Sequence, residues 1–302
     1  MMKVLKWIFI LVLGVVVITL LASWILAKKF NSEFEKTYSF TPAQIAIPSD
    51  SASIERGRVL SVGCRTCHDV DLAGKVFFDD PNIGSLPSSN LTRAKGSETE
   101  GYTSEDFVRA LRHGLNKSGH ALMVMPSKSI GNLSDQDLGC LVAFLNSLQP
   151  IERTFAKRQF TYMSQAMAGA GMFGNLFDYK VINHDKVKNV NAPPLSNSKE
   201  YGAYVVGYEG CMECHGKNFG GGVSPDPVSP PVPDISKSGK AGKWTLQQFT
   251  QTFRSGTTPE GKSLDGQFMP FAGLGALSDM EIEAVSFLSA LDKGEPNPDD
   301  EQ

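Results

Sequence analysis

Two short segments of the chain bring two thiols and an imidazole together in the same order. Cys64-Arg65-Thr66-Cys67-His68 and Cys211-Met212-Glu213-Cys214-His215 share the pattern C-x-x-C-H. Thiols three positions apart lie on one side of a helical turn and can add to the two vinyl groups of one porphyrin, while the next residue presents its imidazole to the iron. The pattern predicts two covalently bound haem c groups, attached through Cys64, Cys67, Cys211 and Cys214, with His68 and His215 as iron ligands.

A single C-x-x-C has other uses, as a redox dithiol or as half of a zinc site. Each pair here is closed by a histidine, and no further cysteine pair exists to complete a four-thiolate zinc site. The fifth cysteine, Cys140, stands among apolar residues of a periodic helix, which favours a buried thiol over a ligand or redox role. These observations favour the haem interpretation for both segments.

A six-coordinate haem iron needs a second ligand opposite the histidine, and methionine sulfur is a common one. Met125 and Met269 are the candidates, because each precedes a proline in a loop before a predicted last helix. Met123 is the rival of Met125 and lies two residues away, but only Met125-Pro126 has a counterpart in Met269-Pro270. His120 is a further rival for the first iron.

The remaining histidines and two arginines are given more ordinary roles. His113 and His184 are expected at the surface. Arg112 and Arg254 occupy matching positions, and a guanidinium there would either pair with a haem propionate or lie solvated at the surface.

The elements that position these side chains occur twice. Residues 55–63 and 201–207 are predicted helices that each deliver a haem segment, and later landmarks recur 142 to 147 residues apart. Such similar spacing across several landmarks indicates a duplicated unit. Within each unit the expected order is a helix with the haem segment, a long loop, a helix, a Met-Pro loop and a last helix. Hydroxyl residues at Thr103, Ser134 and Ser278 are expected to cap helices.

The chain has a candidate membrane anchor at its N-terminal end. Trp7 to Leu26 are twenty consecutive residues without a charge, flanked by lysines on both sides. At 1.5 Å per residue this run matches the roughly 30 Å of a bilayer core. An uncleaved signal anchor is favoured over a cleavable signal peptide, whose apolar region is usually shorter. Haem attachment in bacteria takes place outside the inner membrane, so we expect a single-pass inner-membrane protein with its haem domains in the periplasm.

Composition and patterning divide the chain into six parts. The expected boundaries are 1–29 for the transmembrane anchor, 30–53 for a tether, 54–150 for the first haem domain, 151–199 for an interdomain linker, 200–291 for the second haem domain and 292–302 for a disordered acidic tail. Residues 160–173 in the linker are apolar but too short to span a membrane. We expect them to pack between the two haem domains, with docking on a partner subunit or on the membrane surface as the alternatives.

The first unit resembles the cytochrome c domains in the multihaem subunits of membrane-bound alcohol and gluconate dehydrogenases and in related membrane-anchored dihaem cytochromes. The resemblance covers residues 54–151. Besides the haem segment it is carried by Asn90-Leu91-Thr92, Tyr102-Thr103, Arg112, Met125-Pro126 and Leu133-Ser134. The second unit keeps several of these landmarks but has Asp234-Ile235-Ser236 where the first has Asn90-Leu91-Thr92. The resemblance implies an all-α architecture, with a transmembrane helix followed by two tandem class I cytochrome c folds, and a role in electron transfer.

These features predict an electron carrier and not an enzyme. The expected function is relay of single electrons between a dehydrogenase or quinol-oxidising complex and a terminal acceptor. One alternative is a dihaem peroxidase or thiosulfate-oxidising enzyme, which would need an open or labile iron position. The other is a haem c subunit fixed in a larger respiratory or dehydrogenase complex. The formal charge of −3 gives no basic footprint for nucleic acid.

Overall fold

The computed structural model of the chain describes residues 2–223, 230–266 and 268–289. The expected tail at 292–302 lies outside these residues. The described residues are mainly helical, and the helices are, in chain order, α1 (Met2–Glu35), α2 (Ser51–Leu60), α3 (Arg65–His68), α4 (Ser104–His113), α5 (Ser127–Ile130), α6 (Asp135–Ser147), α7 (Tyr162–Gly169), α8 (Lys199–Glu209), α9 (Cys211–His215), α10 (Leu246–Ser255), α11 (Phe271–Leu274) and α12 (Asp279–Ser289).

Helix α1 is the one helix among the described residues that is long and apolar enough to cross a membrane. Its most apolar stretch has a mean hydropathy of 2.9 and is not buried against the rest of the protein. The helix nevertheless runs beyond the charge-free segment to Glu35, and its last part is packed, with Ala27, Phe30 and Glu33 buried. Helix α1 therefore fits a membrane anchor whose end is built into the folded part of the molecule.

The two predicted haem domains, residues 54–150 and 200–291, form the two halves of the molecule. In each half, the helix before the haem segment crosses the last helix at a glycine. A Cβ atom at Gly57 of α2 would lie 2.0 Å from the carbonyl oxygen of Cys140 in α6. A Cβ atom at Gly202 of α8 would lie 2.1 Å from the carbonyl oxygen of Ala284 in α12. Only glycine permits such close backbone approach, so both helix pairs use the same crossing. Cys140 is buried at the first of them, as the sequence predicts.

The expected helix caps are confirmed. Thr103 and Asp106 form a reciprocal capping box at the start of α4. Ser134 accepts a bond from the Asp137 amide at the start of α6. Ser278 and Glu281 bond each other's backbone amides at the start of α12. Each cap satisfies amides that the first helical turn leaves without a partner.

The expectation of an all-α fold is wrong, because the loop after the first haem segment forms strands. Strands β1 (Val76–Asp80) and β2 (Gly84–Pro87) pair as an antiparallel hairpin, and β2 also pairs with β3 (Gln159–Phe160). Valine and phenylalanine favour strands, and Asp80, whose carboxylate accepts from the amides of Asn82 and Ile83, closes the turn. At Gly84, with a φ of +132°, a side chain would collide with the backbone of β3.

Residues 30–53, interpreted from sequence as a tether, lie against the first half. Phe30 is buried in a cluster with Leu115, Ala121 and Phe177, and Tyr38 and Phe40 pack on it. The Tyr38 amide donates to the Gly119 carbonyl oxygen over 2.9 Å. Aromatic burial therefore fixes this segment, which the sequence analysis treated as a spacer because it contains no sustained apolar period.

The linker also differs from expectation, since its apolar helix α7 packs on α1 and not between the halves. A Cβ atom at Gly169 would lie 2.0 Å from the Leu26 carbonyl oxygen, and Asn31 donates to Gln165 over 2.6 Å. The small residue Gly169 permits this close approach of α7 to α1.

The two halves interlock around one continuous core. Gly63, which precedes the first haem segment, lies against Gly273 of α11, where a Cβ atom would be 3.3 Å from its backbone. Gly210, which precedes the second haem segment, lies against Ser129 of α5, whose Oγ would be 2.9 Å from such an atom. Each haem segment thus contacts the short helix that follows the Met-Pro pair of the other half.

Candidate haem sites

The first candidate site is formed where α2 leads into α3. Cys64 and Cys67 are unpaired and partly buried, and His68 is 9 % exposed. The Nδ1 of His68 donates to the Ser89 carbonyl oxygen over 2.7 Å. Burial lowers the pKa of His68, which keeps the imidazole neutral. A neutral ring fixed through Nδ1 leaves Nε2 for a metal ion.

The second candidate site repeats this arrangement in α9. Cys211 and Cys214 are also unpaired, and His215 is 5 % exposed. The Nδ1 of His215 donates to the Pro233 carbonyl oxygen over 3.0 Å, and burial lowers the pKa of this imidazole as well. An open cavity of about 360 Å³ is lined by His215 and residues of the loop 216–221.

The carbonyl groups that hold both histidines come from matching turns, which sequence reasoning missed. Ser89 precedes Asn90, whose Oδ1 accepts from the amide and the hydroxyl of Thr92 over 2.9 and 2.7 Å. The signal that could have revealed this is an Asx residue two positions before a hydroxyl residue, a pattern that favours such turns.

The second half builds the same turn from different residues. Pro233 precedes Asp234, whose Oδ1 accepts from the amide and the hydroxyl of Ser236 over 2.8 and 2.5 Å. Asp234-Ile235-Ser236 therefore forms the same turn as Asn90-Leu91-Thr92. In both halves the carbonyl group before the Asx residue faces the haem histidine.

The structure places the two candidate methionine ligands alike. Met125 and Met269 are partly buried and pack on the same core as Cys64 and Cys211. The prolines that follow have nearly the same backbone angles, φ −78° and ψ 51° at Pro126 and φ −74° and ψ 58° at Pro270.

The two rivals for the first iron are placed elsewhere. Met123 packs in the separate aromatic cluster around Phe30. The Nδ1 of His120 lies 3.1 Å from the Lys36 carbonyl oxygen, in a turn against the end of α1. Their surroundings therefore differ from those of the methionines in the shared core.

The surface assignment of His113 is wrong. Its ring is fully buried, packs on Phe40 with ring centroids 4.0 Å apart, and has its Nδ1 3.0 Å from the Nδ1 of His184. Burial first, and then the charge of His184, lower the pKa of His113 to about 3. The pair joins α4 to the linker.

The two matched arginines have a structural role that neither expected alternative describes. Arg112 is 1 % exposed and donates to the Leu133 carbonyl oxygen over 2.7 Å and to Asp135 over 2.7 Å. Arg254 donates to the Leu277 carbonyl oxygen and to Asp279 over the same distances. Each guanidinium thus ties the end of one helix to the start of the last helix of its half.

The half-buried carboxylate of Glu209 lies close to the first cysteine of each haem segment. Burial, and secondarily the charge of Glu281, raise the pKa of Glu209 to about 7, while Arg56 opposes the shift. Burial also raises the pKa of the Cys64 and Cys211 thiols to about 12, and the charge of Glu209 acts in the same direction on both. The first cysteines of the two segments therefore share one electrostatic environment.

The residues present fit haem c at both sites. Each has an unpaired pair of thiols, a neutral imidazole held through Nδ1, and a partly buried methionine on the same core. Carbonyl bonds of this kind orient metal-binding histidines in general. Among the described residues no cluster of three or more histidine, cysteine or carboxylate residues forms a separate metal site.

Comparison with known proteins supports the same chemistry. The family model for "Cytochrome c" matches residues 54–149. The fructose dehydrogenase cytochrome subunit of Gluconobacter japonicus is 26 % identical over 251 residues, which are 74 % of this chain and 48 % of that protein. The alcohol dehydrogenase (quinone) cytochrome c subunit of Gluconobacter oxydans is 28 % identical over 176 residues, 55 % of this chain and 36 % of that protein.

Another relative is matched over most of its own length. The "Diheme cytochrome c-type" of Cereibacter sphaeroides is 25 % identical over 227 residues, which are 68 % of this chain and 73 % of that protein. The chain spans about half or less of the length of the dehydrogenase subunits that it matches. Residues 54–149 therefore form a domain that matches the cytochrome c family model, and the geometry of the first site agrees with that match.

Proposed function

We propose that the chain is a membrane-anchored dihaem cytochrome c that relays single electrons. A cytochrome c domain implies covalently bound haem c, and the proposal extends this to a second haem in residues 200–291. The observation that carries it is the repeated histidine environment, in which Ser89 and Pro233 supply equivalent carbonyl groups.

The chain's own residues would hold each haem at fixed positions. Cys64 with Cys67, and Cys211 with Cys214, would form the thioether links. His68 and Met125 would bind the first iron, and His215 and Met269 would bind the second. When bound, haem c carries one electron by alternating between ferric and ferrous iron. With a histidine and a methionine bound to each iron, no position would be open to a substrate.

The relatives indicate the kind of partner. Several are cytochrome subunits of dehydrogenases named for fructose, alcohol and gluconate. We propose that this chain likewise accepts electrons from a dehydrogenase or a quinol-oxidising complex, as a haem subunit or a docked carrier, and passes them to a terminal acceptor. Helix α1 would hold it in the bacterial inner membrane, with the haem domains on the periplasmic side.

The proposal is tested on the full chain purified from membranes in mild detergent. We expect the reduced protein to form no carbon monoxide complex and the native protein not to turn over peroxide, because a histidine and a methionine would bind each iron. A dehydrogenase that co-purifies and reduces the chain when given its substrate supports the subunit role. Ready carbon monoxide binding together with peroxide turnover would contradict the relay and favour the enzyme alternative.

A further inference from the structure

The linker helix α7 lies against the part of α1 that leaves the candidate membrane span. Besides the close approach of Gly169 to Leu26, Lys29 donates to the Gly169 carbonyl oxygen over 3.2 Å. Arg158, just before α7, lies with its guanidinium 3.9 Å from the ring centroid of Phe34. The linker is therefore fixed to α1 at several points along the last turns of that helix.

The contact between the two helices reaches into the charge-free run itself. The Ser23 hydroxyl lies 2.9 Å from the Tyr162 hydroxyl. Ser23 precedes the end of that run, at Leu26, by three residues, which at 1.5 Å per residue is about 5 Å. A bilayer that covers residues 7–26 of α1 therefore also reaches Tyr162 at the start of α7.

Residues that favour a membrane–water boundary meet at this level. Trp24 is exposed and carries the Lys28 ammonium 5.2 Å from its ring centroid. Tyr162 is half-exposed on the neighbouring helix. Tryptophan and tyrosine concentrate where hydrocarbon gives way to headgroups, and lysine there extends its ammonium group toward the phosphates.

The outer face of the linker segment exposes apolar side chains. Met163 is 64 % exposed and Met172 61 % exposed, and residues 159–177 carry no charge. Exposed apolar side chains grouped next to a candidate membrane helix mark a lipid contact in preference to open water.

We propose that residues 160–173 lie in the lipid headgroup layer beside α1 and hold the first half of the molecule against the bilayer. The inference rests on the proposed membrane anchoring and adds a second lipid contact to it. The aromatic cluster around Phe30 packs against both α1 and the linker. Its members lie in residues 30–40, 115–123 and 160–179. No described residue of the second half belongs to this cluster, so the proposed lipid contact is attached to the first half.

The test measures the depth of spin labels in the full-length holoprotein. Met163→Cys, Met280→Cys and Leu11→Cys each replace an exposed apolar side chain, and the unmodified chain reports any background from Cys140. The labelled proteins are reconstituted in vesicles of phosphatidylethanolamine and phosphatidylglycerol. The collision rates of each label with oxygen and with a water-soluble nickel complex are then compared.

We expect a label at position 163 to favour oxygen, as a label at position 11 does, and a label at position 280 to favour the nickel complex. A water-like label at 163 with a lipid-like label at 11 overturns this inference and leaves the anchor intact. A water-like label at 11 overturns the anchor and this inference with it. Lipid-like labels at both 163 and 280 overturn the assignment of the membrane face to the linker.

Discussion

At the scale of single residues, substitutions of the two methionines Met123 and Met125 should have different effects on the first haem. Met125 packs on the core that includes Cys64, whereas Met123 packs in the aromatic cluster around Phe30. Met125→Ala should therefore abolish the charge-transfer absorption of methionine-ligated ferric haem at one of the two haems and open that iron to carbon monoxide. Met123→Ala is the matched control and should change neither spectrum. Loss of the band in Met123→Ala alone would reverse the assignment.

The buried His113 predicts an acid-dependent loss of stability. Its pKa in the folded protein is about 3, below the value near 6.5 of an unfolded chain. Between these values the unfolded state binds the extra proton, so the free energy of unfolding should fall as the pH drops through this range, by roughly 1 kcal/mol per pH unit.

Chemical denaturation of the holoprotein at several pH values measures this effect. His113→Asn removes the titrating ring and should flatten the dependence on pH between about 6.5 and 4. His120→Asn, at a more accessible position, is the matched control substitution. The same pH slope in His113→Asn and in the unmodified chain would show that other groups cause it.

Residues whose side chains have a characteristic chemistry could be predicted from the sequence. Residues that act through their backbone groups could not. The thiols and imidazoles of the haem segments are recognisable from spacing alone. Ser89 and Pro233 contribute only carbonyl groups, which any residue has, so just the Asx residues beside them could have indicated their role. His113 was misplaced because the aromatic partners that bury it are distant in the sequence.

At the scale of helices, the glycine crossing in the second half predicts that alanine substitutions at two glycines of α8 differ in their effect on the free energy of unfolding. Gly202→Ala would place a methyl group against the Ala284 carbonyl oxygen and should lower the free energy of unfolding by about 1–3 kcal/mol. Gly207→Ala meets no atom nearer than 3.9 Å and should be neutral or stabilising by up to about 1 kcal/mol. Thermal unfolding of both variants checks the crossing, and equal effects would count against it.

Helices and their caps were predictable because their signals are local. A helix start is indicated by a pair of residues within four positions, as in Thr103 with Asp106 and Ser278 with Glu281. The hairpin of β1 and β2 was missed although Val76-Phe77-Phe78 followed by a turn around Asp80 is a strand signal. Its third strand comes from residues 159–160, and no local pattern predicts such a distant pairing.

At the scale of the whole molecule, Arg56 joins the two halves. Its guanidinium donates to Asp137 over 2.9 Å and to Glu281 over 2.8 Å. Arg56→Leu leaves two carboxylates without their cation and should lower the free energy of unfolding by roughly 3–5 kcal/mol. Burial raises the pKa of Glu209 nearby to about 7, and loss of Arg56 should raise it further.

The same helix provides the control for this variant. Arg58 pairs with Glu55 at the surface, where ion pairs contribute little, so Arg58→Leu should have no marked effect. Denaturant unfolding monitored by haem absorbance distinguishes the two variants. Similar stability of Arg56→Leu and Arg58→Leu would show that the halves do not depend on this ion pair.

The sequence predicted the repeat but not how the repeats fit together. The spacing between the halves follows from matched landmarks, whereas the contacts of Gly63 with Gly273 and of Gly210 with Ser129 depend on packing between residues far apart. The docking of α7 on α1 is equally non-local. Spacing therefore gives the parts of the molecule, and only the folded structure gives their arrangement.

The central claim is that each half carries its own covalently attached haem, and the most direct test is a haem count. Pyridine haemochrome analysis of the purified full chain, referred to the polypeptide concentration, should give two haems per chain. The double variant Cys211→Ala, Cys214→Ala should give one. A value of one or none for the unmodified chain would contradict the account.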